Sequence, residues 1–137
     1  MNKTRVFVYG TLKAGNGNHA ALRDSTFLGR CYLDGQHKLI SMGYYPGVVR
    51  LSNGETNRVY GEVYSVTPEV LAVLDMIEGH PDFYTRIKIR TPWENAWIYT
   101  LDESFLQEHT VLEKVWMPSD AETAYMQEVE YGGTGAV

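Results

Sequence analysis

Cysteine is nearly absent. Cys31 is the only one, which excludes an intramolecular disulfide framework and a Cys-cluster metal site, and fits a reducing cytoplasm. Long hydrophobic runs are missing too. Nothing approaches the roughly 18 consecutive apolar residues of a membrane span. The opening Met1-Asn2-Lys3-Thr4-Arg5 leads into a short apolar stretch, Val6 to Tyr9, too brief for a signal-peptide core. No membrane association is expected, and Asn2-Lys3-Thr4 matches a glycosylation triplet without the secretory context. The histidines His19, His37, His80 and His109 lack metal-ligand spacing, so no metal is expected. Neither Gly-x-Gly-x-x-Gly nor Gly-x-Ser-x-Gly occurs. Gly10 and Gly15 have the spacing of phosphate-loop glycines, but Asn16-Gly17 stands where that loop needs Lys-Ser/Thr.

Basic residues are the minority, 12 against 17 acidic, for a formal net charge of −5. That balance argues against nonspecific nucleic-acid binding. The acidity is concentrated at one end: residues 1–100 carry eleven basic and nine acidic side chains, whereas residues 102–137 carry Lys114 against eight acids. With 137 residues, 44% of them hydrophobic and ten of them Tyr, the chain suits a single globular domain over 1–137 with an acidic C-terminal segment, 102–137. The sequence sets no oligomeric state.

Segments rich in β-branched and aromatic residues predict strands at Arg5–Tyr9, Phe27–Leu33, Lys38–Ser41, Val48–Leu51, Val59–Val66, Tyr84–Arg90, Ala96–Leu101 and Leu112–Met117. Turn chemistry falls at Asp34-Gly35, Tyr45-Pro46-Gly47, Asn53-Gly54 and Thr91-Pro92. Asn53-Gly54 is the best two-residue hairpin candidate. One helix is well signalled: Thr67 as cap, Pro68 and Glu69 in the first turn, apolar residues through Ile77, and Gly79 then Pro81 as a stop. A shorter helix starts near Asn18, and residues 131–137 read as a flexible tail. Many strands with one or two helices indicate an α+β fold around a curved sheet or small mixed β-barrel.

The helix holds an anomaly. At about 100° per residue with Val70 as zero, Leu74, Leu71, Ile77 and Val73 fall at about 40°, 100°, 340° and 300°, an apolar face, with Glu78 at about 80° inside it. Burial and the negative end of the helix dipole both raise the pKa of a carboxyl there, as general acid/base chemistry requires. The bland alternative is that Glu78 turns to solvent or pairs with Arg86. Asp75, at about 140°, sits at the margin of the face and is expected to be exposed or capping. The exit of the first strand, Tyr9-Gly10-Thr11-Leu12-Lys13, leads into a glycine-containing loop whose backbone N–H groups can form a nest for a carboxylate or oxyanion; its glycines equally serve to bend the chain. His80-Pro81-Asp82 matches the tripeptide of J-domain co-chaperones, but a strand-like segment follows where those have a helix.

Three motifs occur in order: Tyr9-Gly10-Thr11-Leu12-Lys13 with Gly15 and Asn18-His19; Gly61-Glu62-Val63-Tyr64-x-Val66; and Leu74-Asp75-x-x-Glu78-x-x-Pro81-x-x-Tyr84-x-Arg86. Together, over residues 5–101, they resemble the γ-glutamylcyclotransferase family, closest to its AIG2-like and γ-glutamylamine cyclotransferase branch. The resemblance implies a small mixed β-barrel with flanking helices and the cyclisation of a γ-glutamyl amide to 5-oxoproline with release of the amine. It implies no cofactor, and a small γ-glutamyl molecule as the partner. By position, Glu78 matches the catalytic acid/base, and Tyr9, Gly10, Thr11 and Leu12 match the loop that grips the glutamyl moiety. Tyr84 is a supporting candidate for ordering Glu78 or substrate. A noncatalytic binding module that uses the acidic C-terminal segment is the alternative.

Overall fold

The computed structural model describes residues 4–10, 12–13, 19–42, 45–107 and 110–111. In chain order the elements are β1 (Thr4–Val8), a 3₁₀ turn (His19–Leu22), β2 (Thr26–Gly35), β3 (His37–Ser41), β4 (Pro46–Arg50), β5 (Asn57–Val66), α1 (Pro68–Glu78), β6 (Thr85–Thr91), β7 (Glu94–Thr100), a second 3₁₀ turn (Glu103–Gln107) and β8 (Thr110–Val111). Seven of the eight expected strand segments are present within a few residues of their expected bounds. The eighth, Leu112–Met117, and the tail 131–137 lie outside the described residues.

The strands make two ladders, β2-β5-β1-β7-β6 and β4-β3-β8. The first is mixed: β1 runs antiparallel to β5 but parallel to β7. The two ladders meet where Val49 bridges Leu101 and the Leu101 N–H donates to the Val48 carbonyl at 2.8 Å. This is the expected α+β architecture, a mixed sheet with one flanking helix, whose ladders do not close into a continuous barrel among the described residues.

The five-stranded sheet nevertheless curls until its edges approach. Trp93, at the tip of the β6–β7 hairpin, lies over Gly29 of the opposite edge strand so closely that a Cβ there would be 2.5 Å from the indole ring. Gly29 also has φ +152° and sits at a register shift in β2, two reasons for glycine at one position. At the centre, Gly61 of β5 lets Phe7 and the β1 backbone come close: a Cβ there would be 2.5 Å from Phe7 Cζ and 2.6 Å from the Val8 carbonyl oxygen. Val6, Phe7, Val8, Val63, Ile98 and Tyr99, all fully buried, form the core from which the site is built.

The helix follows its sequence signals. Thr67 Oγ1 accepts the Val70 N–H at 3.2 Å, Pro68 occupies the first turn, and Gly79 ends the helix in the left-handed region with φ +68°. The Asn53-Gly54 turn forms, with Gly54 at φ +86° and the Glu55 N–H on Asn53 Oδ1 at 2.9 Å, but it does not make a hairpin. Its flanking strands belong to different ladders, because β4 pairs with β3 and β5 with β2 and β1. The hairpins are β3–β4 and β6–β7.

Gly61→Ala meets backbone that cannot swing aside, so it should lower stability by about 1–3 kcal/mol, the usual range for overpacking; urea unfolding followed by tryptophan fluorescence measures it. Thr67→Ala, which removes only the cap, should lose about 1 kcal/mol in the same assay.

Candidate active site

Glu78 is the last residue of α1 and is 4% exposed. With Leu74 it is one of the two buried helix residues. The apolar face is therefore narrower than its sequence pattern suggests: Val73 and Ile77 are 41% and 39% exposed. The sheet receives a stripe centred on Leu74 and flanked by the partly buried Val70 and Leu71, which puts Glu78 in the middle of the buried row.

Glu78 Oε2 is buried and has no hydrogen-bond partner among the described residues. Burial pushes its pKa from an ordinary 4.5 up to about 8. Arg86, the partner the bland alternative would give it, points elsewhere. Its Nε and Nη2 donate to Asp75 Oδ1 and Oδ2 at 2.7 and 3.0 Å, a bidentate pair. Asp75 is thus neither exposed nor capping. It is half-buried one turn before Glu78, and it also accepts the Tyr99 hydroxyl at 2.7 Å. The reason is the β6–β7 register, which sets Arg86 opposite Tyr99 and aims both at the same side of the helix.

Tyr9, just beyond β1, is fully buried. Its hydroxyl donates to the Tyr99 carbonyl at 2.7 Å and accepts the Val48 N–H at 3.0 Å, tying β1, β7 and β4 together. The Tyr84 hydroxyl donates to the Pro46 carbonyl at 2.6 Å. Desolvation, with a smaller contribution from the charge of Glu78, raises the pKa of Tyr9, Tyr84 and Tyr99, so all three phenols lie within electrostatic reach of the carboxyl. Each nevertheless donates its proton elsewhere: Tyr9 and Tyr84 to backbone carbonyls, Tyr99 to Asp75.

The loop after β1 turns at once, with the Lys13 N–H donating to the Gly10 carbonyl at 2.9 Å. Leu12 is fully buried, and its carbonyl lies 2.9 Å from His19 Nδ1. Two carbonyls of the turn are thereby engaged by the protein itself. Thr11 lies outside the described residues.

Sequence reasoning missed Tyr99, whose role depends on a pairing with β6 that local pattern does not reveal. It also underrated Glu62, which is buried and accepts the Tyr64 hydroxyl at 2.9 Å, with Arg30 Nε 3.8 Å away. The motif Gly61-Glu62-Val63-Tyr64 was the available signal. His80-Pro81-Asp82 joins α1 to β6, and His80 Nδ1 accepts the Arg86 N–H at 3.3 Å. An open concavity of about 510 Å³ involving Arg50, Ser52 and Glu103 does not include Glu78. Among the described residues no group of three His, Cys, Asp or Glu side chains could hold a metal, and no helix is long and apolar enough to cross a membrane.

A buried carboxyl on a helix end, with its pKa raised, can take and return a proton. A relative from Vibrio cholerae is 43% identical over 99 residues, 72% of this chain and 83% of its own. The γ-glutamylaminecyclotransferase of Bos taurus is 40% identical over 98 residues, 66% of this chain and 58% of its own. The crystal structure of an AIG2-like protein from Mus musculus matches with a TM-score of 0.69 at 26% identity, covering 85% of this chain and 90% of the mouse chain. The model of the γ-glutamyl cyclotransferase, AIG2-like family matches residues 6–118, and the chain belongs to that family.

Proposed function

We propose that the protein cyclises a small γ-glutamyl amide to 5-oxoproline, releasing the amine, with Glu78 as general acid/base. The observation that carries the reading is the buried Glu78 carboxyl, with an unpartnered oxygen and a pKa raised to about 8. The name of the bovine relative supports the γ-glutamylamine class of substrate.

In this reading ionised Glu78 removes a proton from the substrate's α-ammonium group. The freed nitrogen attacks the γ-carbonyl carbon of the same molecule, forming the C–N bond of the five-membered ring. Backbone N–H groups of Tyr9, Gly10, Thr11 and Leu12 hold the α-carboxylate or the oxyanion that develops on the γ-carbonyl oxygen. Glu78, now protonated, returns its proton to the departing nitrogen as the original amide bond breaks, and the ring nitrogen then gives its second proton to the Glu78 carboxylate, from which it passes to the released amine. Holding the mobile glutamyl chain in a ring-closing conformation supplies much of the acceleration. Tyr84 assists as an acceptor: with its proton on Pro46, its oxygen is left to receive an N–H of the substrate amine. Glu78 and the loop carry this chemistry with the chain's own groups, and a single domain in the cytoplasm, with Cys31 reduced, is its natural setting. No observation favours the alternative of a binding module, whose acidic segment is described only at 102–107 and 110–111.

Glu78→Gln should lower 5-oxoproline release from a panel of γ-glutamyl amides by about 10²–10⁴-fold; equal product from the variant would remove the assigned role. The wild-type kcat/KM should rise with pH through about 8, as the base ionises.

Stability should run the other way. The folded pKa lies above the unfolded one, so the native state holds a proton that the unfolded chain loses; the contribution is complete below about 4.5 and is lost as pH rises through about 8. In Glu78→Gln that slope should disappear, making the variant more stable than wild type above pH 8; thermal melts across the range measure both.

A further inference from the structure

Arg86, a cation that reaches α1 from β6, is already held by a carboxylate of that helix three residues before Glu78. Asp75 and Glu78 are three residues apart on α1, so their Cβ atoms stand about 5–6 Å from each other on adjoining turns. The long Arg86 side chain arrives from β6, stacks on the Trp97 ring at 4.4 Å and closes its bidentate fork on Asp75. The pair is half-buried, with side-chain exposures of 19% and 21%. We infer that Asp75 is a positioning residue for the active site, one that sequesters the Arg86 guanidinium and thereby prevents an Arg86–Glu78 ion pair. The inference rests on the reading of Glu78 as the proton carrier.

Three features make Asp75 the better partner. Its two oxygens meet the planar guanidinium in parallel, the geometry that favours Arg over a point charge. It retains contact with solvent, so pairing there desolvates the cation less than pairing with Glu78 would. Tyr99 fixes its rotamer through the 2.7 Å hydrogen bond to Oδ1.

Other charged or titratable groups lie on the elements around α1: from the 3₁₀ turn His19–Leu22 and from β5, which pack against the helix, come His19 and Glu62, and the buried Lys13 follows the turn after β1. From the segment after α1, His80 packs edge-on to Tyr99 at 6.4 Å and accepts the Arg86 N–H, and Tyr84 donates to Pro46. From β1 and β7 come Tyr9 and Tyr99, and Tyr45 lies within reach of Tyr84. Lys88, the next cation on β6, sits 4.7 Å over Trp97. Arg86 forms an ion pair with a carboxylate of α1.

The test follows the titration of Glu78 directly in the full chain, by ¹³C NMR of glutamate-labelled protein with Glu78→Gln assigning the resonance, alongside the pH profile of kcat/KM. Asp75→Asn should lower the Glu78 midpoint by about one unit or more, a tenfold change in proton concentration, as expected when an opposite charge comes within about 4–6 Å. Asp75→Asn combined with Arg86→Met should restore the wild-type midpoint, and Asp75→Glu, which still offers Arg86 a carboxylate, should retain it. An unmoved midpoint in Asp75→Asn, or an equal shift with and without Arg86, would overturn the inference. Should Asp75→Asn not fold, Arg86→Met alone decides: a midpoint unchanged or higher supports sequestration, and a lower one overturns it. A wild-type Glu78 that titrates near 4.5, with Glu78→Gln active, would instead overturn the reaction itself.

Discussion

The site depends on an unfavourable placement: a carboxyl whose burial penalises its charged form and whose Oε2 has no hydrogen-bond donor among the described residues. A buried polar group is ordinarily paired, because leaving it alone costs on the order of 1–3 kcal/mol. Here the donors exist but are turned away. The protons of Tyr9 and Tyr84 go to backbone carbonyls, and those of Tyr99 and Arg86 go to Asp75. Any one of them on Glu78 would stabilise the carboxylate and weaken it as a base. The surrounding network is therefore organised as much by what it withholds from Glu78 as by what it binds.

That network exists because the sheet brings distant residues together. Tyr9 and the Tyr99 carbonyl meet because β1 and β7 are parallel neighbours, 90 residues apart in sequence. Curvature is needed for β4 to reach the same point and present the Val48 N–H, and curvature in turn depends on positions with no side chain. Gly61 admits Phe7 against β5, and Gly29 admits Trp93 where the sheet edges converge. The glycine in Gly61-Glu62-Val63-Tyr64 is thus a packing requirement of the strand that carries Tyr9 to the site, remote from any chemistry.

Much of this was legible from local pattern. The strands, the Thr67 cap, the Gly79 stop and the burial of Glu78 all follow from signals within a turn or two of chain, where propensity and periodicity act. What was not legible was partner choice. Asn53-Gly54 has the conformation of a hairpin turn, yet it passes the chain between ladders, because register is settled by which strand pairs with which. Asp75 was expected at the margin of the helix, and its wheel position is indeed marginal; its partners Arg86 and Tyr99 come from two later strands whose mutual pairing no local window contains. The apolar residues Val73 and Ile77 misled for a related reason, since a helix packed on a strongly curved sheet touches it along one row only.

That narrow contact bears on Asp75. With Val73, Met76 and Ile77 exposed, α1 is fastened to the sheet mainly through Leu74 and its flanking neighbours, and its C-terminal turn buries a carboxyl that gains nothing from being there when ionised. Such an end would be expected to fray. The Asp75 clamp to Arg86 and Tyr99 lies within that last turn and joins it to β6 and β7 at once. The two Arg86 hydrogen bonds occupy that cation and, with the one from the Tyr99 hydroxyl, hold the helix end in place. A residue chosen for either task alone would leave the other unmet: a hydrophobic anchor at 75 would free Arg86, and a solvent-facing acid would leave the turn unattached. Asp75 meets both requirements because the helix places it at the border between core and solvent, close enough to pin the turn and wet enough to keep its own charge.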